Sequence, residues 1–140
     1  MVSFPPSTHH LSLAGHLPLL DETPLCELFA SLDNDWNAIV GFVSAFVRQW
    51  PGRLARIDER LSARDADGAL TAVRSLKVSS QMIGATQLTS LSIELESIVL
   101  AGDFAAGTAR VETLRQVGTD TLLELRARGA ATDRGLLDSP

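Results

Sequence analysis

The sequence predicts an all-α protein, an antiparallel up-down four-helix bundle with an additional short N-terminal helix. Apolar residues recur at steps of three and four through four long stretches, and no stretch sustains period-two alternation. The breaks between those stretches are only a few residues long, which favours antiparallel neighbours. With 140 residues, 45% of them hydrophobic, the chain is long enough for one core and too short for two ordinary domains.

Residues 1–18 read as a flexible N-terminal tail, because Pro5, Pro6, Gly15 and Pro18 interrupt regular structure. There is neither a positively charged start nor a long apolar run, so a secretory signal and a membrane span are not expected. All three histidines, His9, His10 and His16, fall in this tail. Their nitrogens could hold a metal or a phosphoryl group, but a solvated polar tail is the plainer reading.

The ordered unit is expected over residues 19–128. Its short first helix opens at Thr23, whose hydroxyl caps free N–H groups, with Pro24 in the first turn where its missing donor does no harm. Leu25, Leu28, Phe29 and Leu32 form its apolar stripe, and Asp33, Asn34 and Asp35 close it and cap the next helix. Cys26 is the only cysteine, so no intrachain disulfide can form. It reads as a small buried hydrophobe in a chain suited to a reducing cytoplasm.

The longest stripe comes next: Trp36, Ile39, Val40, Val43, Phe46, Val47, Trp50, Leu54, Ile57 and Leu61. Pro51 should kink this helix or split it, since proline removes one internal hydrogen bond and crowds the preceding turn. Arg48, Arg53, Arg56 and Arg60 lie on the other faces and read as solvated surface, with only small ion-pair gains from Asp58 and Glu59.

A polar break over 64–68 leads to the next helix, expected from about Ala69 to Ile83, with Asp65 or Asp67 as its cap and Gly84 as its left-handed terminator. Ala69, Val73, Leu76, Ser80 and Ile83 share one side. Arg74, Lys77, Val78 and Gln81 share the other, and Lys77 is the only lysine in the chain. Ser79 and Ser80 are expected to pack and to bond back to their own helix. A further stripe of Leu88, Leu91, Leu95, Ile98 and Val99 has Glu94 and Glu96 on its flanks and Gly102 as a stop. Asp103 then caps the last helix, whose buried face is Val111, Leu114, Val117, Thr121, Leu122 and Leu125. Residues 129–140 read as a flexible C-terminal tail.

The run AVRSLKVSSQMIGA, residues 72–85, resembles the signature of the histidine-containing phosphotransfer (HPt) domain, written roughly A-x-H-x-L-K-G-S-[SA] with Gly-Ala a few residues on. Ala72, Leu76, Lys77, Ser79, Ser80, Gly84 and Ala85 stand in register. The L-x-x-E-L-E form of residues 91–96, the proline inside the long helix and the short N-terminal helix also resemble the family, over roughly residues 19–128. Two positions depart. Arg74 occupies the place of the phosphorylated histidine, and Val78 replaces the small glycine after the lysine.

Those departures bear on the chemistry that the resemblance implies. A guanidinium stays protonated at physiological pH and has no lone pair with which to attack phosphorus. Val78, one turn on from Arg74, adds bulk where a receiver domain would approach. The resemblance therefore implies a pseudo-HPt module of two-component phosphorelay signalling. It would bind a response-regulator receiver domain or a histidine kinase through Arg74, Ser75, Lys77, Val78 and Gln81, with Leu76, Ser79, Ser80 and Gly84 supporting the motif. One alternative is an active carrier that uses a tail histidine. Another is a structural bundle or homodimer with no relay role.

Other classes find little footing. The net charge of −5 argues against nucleic acid as a partner, because phosphate backbones demand a basic face. No metal-ligand spacing, cofactor fingerprint, facing carboxylate pair or nucleophile-base set is visible, so neither an enzyme nor a cofactor is expected.

Overall fold

The computed structural model describes residues 18–21, 27 and 36–131. Within them the regular elements are helices: α1 (Trp36–Ser62), α2 (Ala66–Ile83), α3 (Thr86–Leu100), α4 (Phe104–Ala109) and α5 (Val111–Ala131). The four long helices close into a ring. Helix α1 packs on α2, α2 on α3, α3 on α5 and α5 on α1, whereas the diagonal pairs α1/α3 and α2/α5 do not pack on one another. With breaks at 63–65, 84–85 and 101–103, each successive long helix must turn back along its predecessor. This is the four-helix bundle expected from the apolar spacing. No described helix is long and apolar enough to cross a membrane.

The core runs down the bundle axis. Trp50, Ile57 and Leu61 from α1 meet Val73, Leu76 and Ile83 from α2, Leu88, Leu91 and Leu95 from α3, and Leu114 and Leu125 from α5. Trp50 packs against α5 at Gly118, where a β-carbon would overlap the indole ring. A helical glycine is here a packing requirement.

Of the two outcomes expected at Pro51, a kink or a split, the split does not occur: α1 runs through it for 27 residues. A helix-interior proline costs about 3 kcal/mol. Burial of Trp50 on one side and Ile57 on the other returns roughly 1.5–3 kcal/mol for each large side chain, enough to hold both halves in register. Val40, placed in the buried stripe by its spacing, is exposed at the edge of the arc that Ile39, Phe46 and Trp50 bury. The last helix is broken at Arg110, whose N–H donates to the Gly107 carbonyl at 3.0 Å, a tight i→i−3 turn. The cause is local. Gly107 is buried where a β-carbon would crowd Leu61, so α4 sits close against α1 before α5 starts afresh.

Other caps fall where the sequence puts them. Asp65 accepts from the Gly68 N–H at 2.9 Å, starting α2 at Ala66, earlier than the expected Ala69. Asp103 accepts from the Ala106 N–H at 3.0 Å. Gly84 ends α2 with φ +77°, and its carbonyl accepts from the Asp21 N–H at 2.7 Å. Thr86 Oγ1 donates to the Pro18 carbonyl, and Leu20 is buried in the core. Glu27 is helical and exposed. The remainder of the short N-terminal helix (Thr23, Pro24, Leu25, Cys26, Leu28, Phe29, Leu32 and the cap at 33–35), the tail histidines, the side chain of Trp36 and the C-terminal tail from 132 onward lie outside the described residues.

Candidate functional site

Helix α2 sits with one face in the core and the other in water. Ala69, Val73, Leu76, Ser80 and Ile83 are all fully buried, as their common side of the helix requires. Arg74, Ser75, Val78 and Gln81 are exposed and Lys77 is half-buried. Arg74, Val78 and Met82 stand on successive turns of one row, and the two apolar members are 52% and 41% exposed. The row presents a cation followed by an apolar strip.

The cations are not free. Arg74 Nε donates to Glu96 Oε2 at 2.6 Å, and Lys77 Nζ donates to Glu96 Oε1 at 2.9 Å, so one carboxylate from α3 holds both. The hydrogen bonds from Lys77 and Arg74, with the attraction of both charges, hold the Glu96 carboxyl below its ordinary range against an opposing effect of burial. Two cations and one anion leave a single net positive charge. The terminal nitrogens of Arg74 have no partner among the described residues, and half of the side chain stays in contact with water. It can therefore still grip an incoming carboxylate or phosphoryl oxygen.

The opposite flank of α2 is held from α1. Arg53 donates through Nη1 to Ser75 Oγ at 2.7 Å and through Nη2 to Ser79 Oγ at 3.1 Å and Gln49 Oε1 at 3.0 Å. Burial, helped by the neighbouring Arg56 cation, lowers its pKa, yet a guanidinium stays charged. Ser79 thus accepts from Arg53, while the buried Ser80 hydroxyl has no partner. The expectation that both serines bond back to their own helix is corrected. That role falls to Ser92, whose hydroxyl donates to the Leu88 carbonyl at 2.8 Å, and to Thr121 and Thr89.

The structure brings together Arg74 and Lys77 on Glu96, with Val78 one turn on from Arg74 and Gln81 also exposed, whereas Ser75 lies on the opposite flank with Arg53. Leu76 and Ser80 lie beneath, and Gly84 marks the end of the helix. Two participants escaped the sequence reading. Glu96 was visible only as a flank of the α3 stripe, and Arg53 only as one surface arginine among four. The flanking carboxylates Glu94 and Glu96 were the available signal, but only the α2/α3 register shows that Glu96 meets the lysine while Glu94 pairs with Arg110. Among the described residues no group of three His, Cys, Asp or Glu side chains could hold a metal ion.

A family model described as "Hpt domain" matches residues 41–128, more than half of the chain, and it covers all of α2 and α3 and the site they build. That segment contains no histidine. No curated protein and no solved structure matches the chain.

Proposed function

This chain belongs to the Hpt domain family, whose members carry phosphoryl groups in two-component phosphorelays, and from that premise we propose that it is a pseudo-HPt module. It docks on a response-regulator receiver domain or a histidine kinase, in the cytoplasm, without carrying phosphate itself. One observation carries the reading. The outward row of α2 presents Arg74, a permanently charged guanidinium bonded to Glu96, in the place that the HPt signature gives to a nucleophilic imidazole.

Two further features support it. The apolar Val78 and Met82 extend the Arg74 row into an exposed strip suited to a protein surface, and the net positive charge fits a receiver's acidic pocket. With Glu96 cancelling one cation, charge steers the encounter only moderately, and the terminal nitrogens of Arg74 supply the directional contact.

The test is binding of wild type and Arg74→Ala to receiver domains at low and moderate salt. The variant is expected to bind about tenfold more weakly at low salt, the gap narrowing as salt screens the charge. Equal affinity throughout would discard Arg74 as a docking residue. Incubation with a phosphorylated receiver should leave no acid-labile phosphate on wild type. Label that disappears when His9, His10 and His16 are all replaced would overturn the reading in favour of an active carrier.

A further inference from the structure

An unneutralised group of arginines lies on the α1 side of α2. Arg48, Arg53 and Arg56 surround an open pocket of about 410 Å³, completed by Gln49, Gly52 and Ser75. None of the three makes an ion pair among the described residues, although the chain as a whole carries a charge of −5. Arg60, one turn beyond, is by contrast neutralised by Asp65 at 3.2 Å. Arg53 and Arg56 stand at i and i+3 and repel one another, a repulsion that an external anion would relieve.

The site is built, not merely charged. Arg53 is fixed by Gln49, Ser75 and Ser79, so its guanidinium is oriented in advance with one Nη1–H left for a ligand, while its Nε–H is buried without a partner. Arg48 and Arg56 stand at i and i+8 on one row of α1, with Gly52 between them at i+4. A β-carbon on Gly52 would touch nothing within 4 Å. This glycine is therefore not demanded by packing, and it costs the helix about 1 kcal/mol relative to alanine. Its effect is to keep the floor open between two forks.

We propose that Arg48, Arg53 and Arg56, with Ser75 at the rim, form an anion site for a phosphate-class oxyanion of at least two negative charges, separate from the Arg74/Lys77/Glu96 triad. Guanidinium forks match phosphoryl oxygens in geometry; Arg48 and Arg56 supply two of them and Arg53 a single fixed N–H and its charge, a set that gains most from a polyvalent ligand. The pocket falls within the size range of small-ligand sites, roughly 300–1,000 Å³. No aromatic or aliphatic side chain lines it, so it offers charge recognition and no surface for a base or an acyl chain. The ligand can be a free polyphosphate or a phosphoryl group borne on a peptide.

The experiment titrates the full chain with pyrophosphate, and in a second arm with a short phosphoserine peptide, at constant ionic strength. The amide resonances of Gly52 and Ser75 report binding. Saturable shifts are expected in at least one arm, and the tighter ligand identifies the source. Arg48→Gln/Arg56→Gln, at two exposed positions that leave the Arg53 clasp intact, should weaken binding about tenfold or more. Arg74→Ala should leave it within about twofold, which separates this site from receiver docking. Shifts that never saturate in either arm, or saturation unchanged in the double variant, would overturn the proposal.

Discussion

Arg74 Nε and Glu96 Oε2 lie 2.6 Å apart across the α2/α3 groove, and Lys77 takes the second oxygen of the same carboxylate at 2.9 Å. The pair of cations therefore lowers the Glu96 pKa below its ordinary 4.5 in the folded protein. For a carboxyl whose folded pKa is depressed, the stabilisation is complete above the unfolded value and is lost as pH falls through the folded one. Glu96→Gln is expected to be less stable than wild type at neutral pH, with the gap closing as pH drops below 4.5. Urea midpoints across a pH series measure this, and a gap that does not change with pH would count against the ion-paired triad.

Gly118 and Gly52 are both helical glycines, and alanine should act on them with opposite signs. At Gly52 there is space for a β-carbon, so Gly52→Ala should gain up to about 1 kcal/mol from helix propensity. At Gly118 the added carbon meets the Trp50 ring, and overpacking of this kind costs roughly 1–3 kcal/mol. Paired chemical denaturation of the two variants checks the contrast. Stabilisation by Gly118→Ala would show that Trp50 does not lie on α5.

Ser80 is fully buried with an unpartnered hydroxyl, whereas Ser79 accepts from Arg53. Ser80→Ala removes a desolvated polar group and improves helix propensity, so it should raise stability by about 1 kcal/mol. Ser79→Ala should lower it by about 0.5–1.5 kcal/mol, the net worth of a hydrogen bond. Thermal unfolding of both variants separates the two serines, and a destabilised Ser80→Ala would refute the assignment.

Arg74→His with Val78→Gly restores both departures from the HPt signature on an exposed row of a helix whose buried face is unchanged. The double variant is expected to accept acid-labile phosphate from a phosphorylated receiver where wild type accepts none. Both positions are solvent-facing, so stability should shift little apart from the cost of about 1 kcal/mol for a helical glycine. Label on the wild type at the level of the variant would remove the chemical basis for a non-carrying module.

Much of the bundle was legible because burial imposes a period. The stripes through Leu76, Leu91 and Leu114 had to meet, short breaks left only antiparallel neighbours, and Asp65, Gly84 and Asp103 announced the helix ends by cap chemistry that acts within four residues. At Pro51 a kink and a split both stayed open, since its local cost is visible in the sequence while the packing of Trp50 and Ile57 that outweighs it is not. The break at Arg110 was hidden for the same reason, because it follows from the fit of Gly107 against Leu61.

By itself the sequence determined the composition of each face: a cation at Arg74, a single lysine one turn away, and an apolar side opposite both. Only the tertiary structure decided what those charges meet. Glu96 lies 19 residues from Lys77 along the chain and Ser75 lies 22 from Arg53, and each becomes a partner solely through helix register. Periodicity fixes which way a side chain points from its own helix, whereas pairing across helices depends on their relative height and rotation, which core packing sets.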